Sequence, residues 1–384
     1  MKKRLLFVVT NLGTGGILRS LQNFLNCYDV SLFDVDVFAL THQGVYRDEL
    51  KRCTVLPVRH ILDALMARYE YQKGWAKVLS LFTKTLNKIT ADGFLRKLFN
   101  RISNQLVAKT QYDAVIGFSE GVPTLFVSMM EHPNKIGWIH CDYSSYIKIN
   151  GGKSELAIYE KFQHVVCVSD FTRRSFCNVY PSLESKTLSI YNIIDDSMMK
   201  DKAEDVVEES FNDECFNILS VGRIDPIKRL SIIPELANEI QSSGCKICWY
   251  VVGPKGTTSE VEKLEHNMKK FKSEDVVFLL GEKKNPYPYI ANVDLLVNTS
   301  ISEACPYVIN EAKILGTPVV CTDFGSASEF IVNGENGYIV PIERMADCIA
   351  MLIKHPDVLH KLNTNLNSFE YKNNQLLEQI YALV

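Results

Sequence analysis

Short apolar runs that could form strands alternate along this chain with segments that repeat at helical spacing. One series of such runs lies near residues 4–10, 35–40, 114–118, 135–139 and 165–168, and a second near 217–221, 247–252, 276–279, 295–298 and 319–321. Alternation of this kind favours parallel sheets with helices on both faces. Because 384 residues are too many for one ordinary core, we predict an α/β chain of two such halves.

An acidic segment marks the predicted boundary between the halves. Residues 196–214 are rich in Asp and Glu and show little regular pattern, which predicts an acidic connector. The N-terminal domain is then residues 1–195 and the C-terminal domain residues 215–365. Residues 366–384 are expected to form a C-terminal helix, because Leu376, Leu377 and Ile380 recur at helical spacing.

Composition excludes several classes of protein. The net charge of −3 gives no sign of a nucleic-acid partner, which usually demands a strongly basic face. The chain has no run approaching the roughly 18 apolar residues of a membrane span. The apolar run after Arg4 ends within about five residues, which is too short for a signal peptide and suits a buried first strand.

The eleven cysteines are scattered without paired spacing, as expected in a reducing cytoplasm. Cys245 and Cys248 form the only C-x-x-C pair, at the start of a strand-like run where positions three apart point to opposite faces. We therefore reject a zinc site and expect no metal.

Two carboxylates lie eight residues apart at a predicted loop-to-helix junction between two strand-like runs. Pro306 suits the first turn of a helix, because its missing N–H costs nothing there. Glu303 would lie in the loop that feeds this helix, and Glu311 inside it. Both would be near the carboxyl end of a parallel strand, where open α/β sheets bind ligands. By itself, the spacing also fits a solvated helix face.

Two cations follow the strand predicted at 217–221. Arg223 comes directly after Gly222, and Lys228 is five residues further on, before a helix-like stretch. An Arg offers a planar fork for two phosphate oxygens, while Lys acts as a point charge. The pattern therefore favours a phosphate group at this strand end, and a loop of solvated cations is the alternative.

The N-terminal half carries further candidates at strand ends. Gly13, Thr14, Gly15 and Gly16 follow the first strand, but the G-x-G-x-x-G spacing of a dinucleotide site is broken. His140 and Asp142 follow the run at 135–139. A histidine at the carboxyl end of a strand is more suggestive of a functional role than a histidine on an apolar face. Ser169 and Asn192 follow later strand-like runs and look like floor or hinge elements.

The glycine loop at 13–16, Asn192, the cations Arg223 and Lys228, and the two carboxylates follow one another along the chain. In this order they resemble the motifs of the retaining glycosyltransferases of family 4, whose E-x7-E pattern matches Glu303 and Glu311. The resemblance implies the GT-B fold, with two Rossmann-like domains facing each other across a cleft and a C-terminal helix crossing back to the N-terminal domain. It implies transfer from a nucleotide-diphospho-sugar, most often a UDP-sugar, to a glycan or lipid-linked glycan in bacterial surface polysaccharide synthesis (capsule or lipopolysaccharide). No cofactor is implied, because Arg and Lys take the role that a divalent metal plays elsewhere.

The resemblance also assigns roles to residues. Arg223 and Lys228 would stabilise the leaving diphosphate, Glu303 and His140 would contact the donor sugar, and Glu311 would accept hydrogen bonds from the ribose. The other donor-binding candidates are Gly222, Gly15, Gly16, Ala304, Cys305, Pro306 and Tyr307, and the secondary or acceptor-side candidates are Asp142, Ser169, Asn192 and Glu329. The chain departs from the family at Ala304-Cys305, where Gly and a large apolar residue are common, and at Gly325-Ser326, where Gly-Gly is expected.

Residues 75–109 are strongly basic. They contain seven Lys and Arg against a single acid, Asp92, a local charge of +6, with leucines and isoleucines at helical spacing. One interpretation is two amphipathic helices packed on the N-terminal sheet with their cations in water. The other is a surface that meets anionic lipid headgroups. The protein would then be cytoplasmic and peripheral on the inner face of the cell membrane.

Two other functions remain open from the sequence. A nucleotide-sugar epimerase shares the two-domain architecture but uses carboxylates and histidines for proton transfer. A non-catalytic, glycosyltransferase-like scaffold subunit would be favoured by loss of Arg223, Lys228 or either Glu, and all four are present. Release of nucleoside diphosphate from candidate donors would separate these functions.

Overall fold

The computed structural model describes residues 2–13, 15–41, 50–66, 75–89, 93–207, 209 and 211–384. Thr14 and Asp92 lie outside the described residues, as does the side chain of Lys77. The chain divides into two compact units, one of residues 1–194 with 372–384 and the other of residues 195–371.

The first unit is built on a seven-stranded parallel sheet with the order β3-β2-β1-β4-β5-β6-β7. Its strands are β1 (Lys3–Val9), β2 (Phe33–Ala39), β3 (Thr54–Val55), β4 (Ala114–Gly117), β5 (Lys135–Ile139), β6 (His164–Cys167) and β7 (Thr187–Ser189). The run of residues 5–8 in β1 is fully buried, because β2 and β4 flank it and helices cover the sheet. This burial explains its uninterrupted apolar sequence.

Helices connect these strands. They are α1 (Gly16–Cys27), α2 (His60–Met66), α3 (Trp75–Ile89), α4 (Gly93–Lys109), α5 (Val122–Ser128), α6 (Tyr143–Ile149), α7 (Leu156–Tyr159) and α8 (Asp170–Val179). The core they form with the sheet is rich in aromatic side chains, among them Phe38, Phe99 and Phe126. α3 packs against α2 and α4.

The second unit contains a six-stranded parallel sheet with the order β10-β9-β8-β11-β12-β13. Its strands are β8 (Phe216–Val221), β9 (Ile247–Val252), β10 (Val277–Gly281), β11 (Leu295–Asn298), β12 (Val319–Cys321) and β13 (Gly337–Ile339). Its helices are α9 (Asp196–Ala203), α10 (Ile233–Ser242), α11 (Thr258–Lys270), α12 (Tyr287–Ala291), α13 (Tyr307–Ile314), α14 (Ala327–Phe330), α15 (Met345–Lys354) and α16 (Pro356–Asn367). Trp249 is fully buried in the core, and its Nε1 donates a hydrogen bond of 3.1 Å to Ser220 Oγ.

The segment predicted as an irregular acidic connector belongs to the second unit, and its first eight residues form α9. Asp195 accepts a hydrogen bond from the backbone N–H of Met198 and so starts the helix. Met199 is fully buried where α9 packs against α12. The acidic composition hid this helix, because only one of its residues is apolar and enclosed.

The C-terminal region contains the end of one helix and the whole of a second, where the sequence predicted a single helix at 366–384. α16 belongs to the second unit, and a further helix, α17 (Asn373–Tyr381), belongs to the first. Asn373 accepts from the backbone N–H of Ile194 at 3.1 Å and donates to its carbonyl at 2.6 Å. Within the described residues, no helix is long and apolar enough to cross a membrane.

Candidate active site

The loops that follow β8 and β11 leave the same edge of the second sheet, because these strands are parallel neighbours. Their backbones are joined directly. The N–H of Ile301 donates to the carbonyl of Ile227 at 2.8 Å, and the hydroxyl of Thr299 donates to the carbonyl of Lys228 at the same distance. These bonds fix the cationic loop against the loop that carries Glu303.

Lys228 and Glu303 form an ion pair between the two loops. The Lys228 Nζ lies 2.6 Å from Glu303 Oε1, with the side chains only 29% and 12% exposed. The same oxygen accepts from the Ser300 hydroxyl at 2.7 Å and from the Asn298 amide at 3.4 Å. The other oxygen, Oε2, makes no hydrogen bond to any residue that the structure describes. The carboxylate is thus held through one of its two oxygens.

Arg223 is oriented by Asp225, a residue that sequence analysis did not single out. Its Nε donates to Asp225 Oδ2 at 2.9 Å, yet the side chain as a whole is 65% exposed. The other carboxylate oxygen accepts from the backbone N–H groups of Ile227 and Lys228. Asp225 therefore shapes the whole loop, and the Asp-Pro turn in the sequence was the signal that could have revealed it.

Gly222, at the start of this loop, is approached closely by Gly253 at the end of β9. A Cβ on Gly253, whose φ is +153°, would lie 1.9 Å from the Gly222 carbonyl oxygen. Only glycine permits this approach. A Cβ on Gly222 would lie 3.4 Å from the Lys228 side chain, which is an ordinary van der Waals contact.

The helix that carries Glu311 is anchored on its buried side. Pro306 is the N-cap of α13 rather than a residue of its first turn, and Tyr307 is the first helical residue. Glu311 is almost completely buried in α13. Lys313 Nζ donates to the carbonyl of Phe330 at 2.7 Å and lies 4.5 Å from the ring of Phe369.

Burial lowers the pKa of Lys313 to about 8. Its hydrogen bond to the Phe330 carbonyl makes this lysine a structural anchor.

Three further candidates, Ala304, Cys305 and Glu329, lie in the Glu303 loop or in the segment that is bonded to it through Ser326. Ala304 is half-buried and Cys305 is buried, directly before α13. Ser326, in the position where Gly is expected, is fully buried and donates from its hydroxyl to the Glu303 carbonyl at 2.8 Å. Glu329 lies half-buried in α14. The departure from Gly-Gly thus gives Glu303 an extra backbone restraint.

His140 follows β5 in the first unit, and a hydrogen bond from its backbone N–H fixes its position. Its N–H donates to Glu120 Oε2 at 2.9 Å, and its ring meets that of Phe118 edge-on at 5.1 Å. Burial lowers the pKa of His140 to about 3, although a hydrogen bond with the Phe118 backbone partly offsets this shift. The buried Nε2 has no hydrogen-bond partner among the described residues. The imidazole is therefore neutral, with one nitrogen still to be satisfied.

Glu120 is a second residue that sequence analysis missed. Burial raises the pKa of its carboxyl, although the hydrogen bond from the His140 backbone acts in the opposite direction. Burial and the nearby Glu120 also raise the pKa of the Cys141 thiol. The sequence did not indicate a role for a single Glu after β4, because its hydrogen bond with His140 forms only when β4 and β5 pair as neighbouring strands.

The remaining candidates of the first unit occupy structural positions. Asp142 caps α6, and hydrogen bonds from Ser145 and Ser175 outweigh the effect of burial and lower its pKa. Ser169 caps α8 by accepting from Thr172, and Asn192 accepts from the Ser20 hydroxyl at 2.8 Å.

The glycine loop begins a helix. Gly15 is the N-cap of α1 with a φ of +147°, a conformation that favours glycine, and Gly16 is the first residue of that helix. Space is open where a Cβ would stand on either glycine.

No group of three or more His, Cys, Asp or Glu side chains that could hold a metal ion is found in the described part of the chain. Metal independence stays a prediction.

Comparison with known sequences places a similarity in the second unit. Residues 201–368 match the family model described as glycosyl transferases group 1. The capsular polysaccharide biosynthesis glycosyltransferase CapM of Staphylococcus aureus is 24% identical over 213 residues, which are 55% of this chain and 54% of CapM. These similarities support a glycosyltransferase.

A second relative comes from Campylobacter jejuni. It is an N-acetylgalactosamine-N,N'-diacetylbacillosaminyl-diphospho-undecaprenol 4-alpha-N-acetylgalactosaminyltransferase, 29% identical over 157 residues, with 40% of each chain covered. The chain therefore spans about half or less of the length of these two relatives.

Comparison with solved structures extends over both units. HepE of Anabaena, in complex with UDP-glucose, matches with a TM-score of 0.72 at 16% identity, covering 99% of each chain. The chain has the GT-B fold. This confirms the predicted fold class of two parallel-sheet, Rossmann-like domains. In GT-B terms, the Lys228–Glu303 pair lies in the C-terminal domain, and His140 lies in the N-terminal domain.

Proposed function

We propose that this protein is a retaining glycosyltransferase that moves a sugar from a nucleotide-diphospho-sugar, a UDP-sugar first of all, to a glycan or lipid-linked glycan. The observation that carries the proposal is the Lys228–Glu303 ion pair at the ends of neighbouring parallel strands, with Arg223 in the same loop as Lys228. Such strand ends are where open α/β sheets bind ligands.

The cations suit a leaving diphosphate. Its negative charge rises as the glycosidic bond breaks, and fixed cations aimed at it lower the barrier. The Arg223 side chain is mostly exposed while Asp225 holds one edge of its guanidinium, so the group would bind phosphate oxygens without losing its orientation. Lys228 is fixed by Glu303 and by the backbone bonds between the two loops. It adds a point charge on the same edge of the sheet.

The carboxylates suit the sugar and the ribose. Glu303 uses Oε1 for its protein partners, so Oε2 is the oxygen that would accept a hydrogen bond from a sugar hydroxyl. Glu311 in α13 would accept from the ribose. The neutral imidazole of His140 would offer its unsatisfied Nε2 to a donor-sugar hydroxyl.

Names of related proteins support the substrate class. CapM is named for capsular polysaccharide biosynthesis, and the Campylobacter relative for transfer involving a diphospho-undecaprenol glycan. HepE binds UDP-glucose. We infer a role in bacterial surface polysaccharide synthesis in the cytoplasm, with no cofactor and no metal.

The test is a turnover assay on the purified chain. UDP- and GDP-sugars are supplied with and without glycan or lipid-linked glycan acceptors, and nucleoside diphosphate release is measured with and without EDTA. We expect release that requires an acceptor, resists EDTA and gives a product with the anomeric configuration of the donor by NMR. An epimerised sugar formed without acceptor would instead show an epimerase, and inverted product would contradict retention.

A binding measurement separates the enzyme from a non-catalytic scaffold. Calorimetry with UDP and GDP should detect binding to the wild-type chain and weaker binding to Glu311→Ala. Neither binding nor turnover with any donor would favour the scaffold.

A further inference from the structure

In the described part of helix α3, in the first unit, apolar side chains are exposed and polar side chains are buried. Val78, Leu79, Leu81 and Phe82 are 58%, 39%, 63% and 63% exposed. Ser80 and Thr83, in contrast, are buried, and the Ser80 hydroxyl makes no hydrogen bond to any described residue. An amphipathic helix packed on a core normally shows the reverse arrangement. The apolar side chains of the described stretch 78–83 therefore lie on the surface.

The neighbouring helix α4 has the ordinary arrangement. Phe99 and Ile102 point into the core of the first unit, while Arg96, Lys97 and Arg101 are exposed. Lys88 near the end of α3 and Lys109 at the end of α4 are exposed as well. The described residues of both helices include no Asp or Glu. Exposed apolar side chains and exposed cations are thus presented by two helices in contact.

We propose that the exposed face of α3, together with the cations of α4, is a docking surface for a membrane that contains anionic lipids. Phe82, Leu81 and Val78 would enter the boundary between headgroups and acyl chains, and the cations would meet the headgroups. The charge favours a bilayer over a second copy of this chain, because two such faces would bring like charges together. This inference does not depend on the proposed sugar transfer.

Vesicle sedimentation of the full chain tests the docking surface. Phosphatidylcholine vesicles with and without phosphatidylglycerol are compared at low salt and at about 1 M salt, where the Debye length is about 3 Å. We expect binding to the anionic vesicles at low salt, weaker binding at high salt and little binding to neutral ones. Absence of binding to the anionic vesicles would overturn the proposal.

Two sets of variants separate the contributions. Replacing Arg96, Lys97 and Arg101 by Gln should lower the partition coefficient about a hundredfold, since each cation contributes about 1 kcal/mol near an anionic surface. The matched control replaces Lys263, Lys269 and Lys270 of α11 by Gln and should bind like the wild type.

The apolar face has its own test. Leu81→Ser with Phe82→Ser should lower the partition coefficient about 30-fold or more, because both side chains lose their burial in the interface. The matched control is Val206→Ser with Val332→Ser, at exposed apolar positions of the second unit. Equal binding of Leu81→Ser/Phe82→Ser and wild type would overturn the insertion.

A Phe82→Trp variant reports insertion directly. Its additional fluorescence, relative to the wild type, should shift to shorter wavelength on anionic vesicles and be quenched by brominated lipid. An unchanged difference spectrum would contradict insertion. Dimerisation in the absence of lipid, abolished by Leu81→Ser with Phe82→Ser, would assign the face to a second copy instead.

Discussion

Both units place candidate residues beyond the carboxyl ends of parallel strands, but the surroundings of those residues differ. In the second unit, Lys228 and Glu303 remain an ion pair whose acceptor oxygen takes two further donors. In the first unit, burial keeps His140 neutral and raises the pKa of the adjacent Glu120. At Lys228 and Glu303 the second unit thus holds charges in fixed positions, as a charged ligand requires, whereas at His140 and Glu120 the first unit disfavours the charged forms.

The contrast predicts where substitutions have their effect. Removing a charge in the second unit should reduce turnover with little change in the free energy of unfolding. Changing His140 in the first unit should alter how stability depends on pH. The following predictions test this division, from the largest expected effect to the smallest.

The largest effect is expected for the cations. Lys228→Ala and Arg223→Ala should each lower kcat about 100-fold or more, because the leaving diphosphate loses a fixed countercharge. Arg223→Lys should recover only part of the activity, since the planar fork is lost. Steady-state turnover with the identified donor measures this effect. Lys246→Ala, at an exposed pair with Glu214, is the control, and near-wild-type turnover of either test variant would remove that cation from the mechanism.

A smaller effect should separate the two carboxylates. Glu311→Ala should weaken nucleotide binding by about 1.5–3 kcal/mol, the contribution of a hydrogen bond to a charged group. Glu303→Ala should reduce turnover of the sugar donor more than binding of free nucleotide. Calorimetry with UDP and with the sugar donor, beside turnover, compares the variants. Equal losses for both ligands in both variants would contradict separate roles.

The first unit should respond to pH. An unfolded chain protonates His140 below a pH of about 6.5, while the folded chain resists protonation down to about pH 3, so the free energy of unfolding falls on acidification. His140→Gln should make that fall shallower, by on the order of 1 kcal/mol per pH unit. The raised pKa of Glu120 acts in the opposite direction in both proteins.

Urea unfolding at pH 7 and pH 5 measures this difference. The exposed His266→Gln is the matched control. Parallel pH dependence of wild type and His140→Gln would show that the imidazole is not held neutral by the fold.

The smallest effect concerns the restraint on Glu303. Ser326→Ala removes the hydroxyl that donates to the Glu303 carbonyl, and we expect a two- to tenfold fall in kcat from a hydrogen bond of about 0.5–1.5 kcal/mol. Ser242→Ala in α10 removes a similar hydroxyl-to-carbonyl bond and should leave kcat unchanged. An unaltered kcat for Ser326→Ala would mean that the ion pair alone positions Glu303.

Much of the fold was predictable because buried parallel strands are continuous apolar runs. β1, β9 and β11 could be located in this way. The strands missed were β3, β7 and β13, which are only two or three residues long and pair at the outer positions of their sheets. Such short segments carry too few residues to show a pattern.

The candidate site was predictable in its residue types but not in its connections. Lys228 and Glu303 were found by order and resemblance, yet their contact joins positions 75 residues apart. Asp225 and Glu120 escaped notice because an isolated acid has no periodicity. Lys313 is a buried anchor, and this role could not be read from the sequence because it depends on Phe330 and Phe369 from other parts of the chain.

The assignment of α17 to the first unit has a consequence for biosynthesis. Residues 1–194 leave the ribosome early, but the helix that completes their unit follows only after residues 195–371 have been made. The second unit is continuous in sequence and can therefore finish folding while the earlier one still waits for its last helix. The Asn373–Ile194 clamp can close only after the second unit has been synthesised, so the first unit cannot be completed in the usual N-terminal-first order.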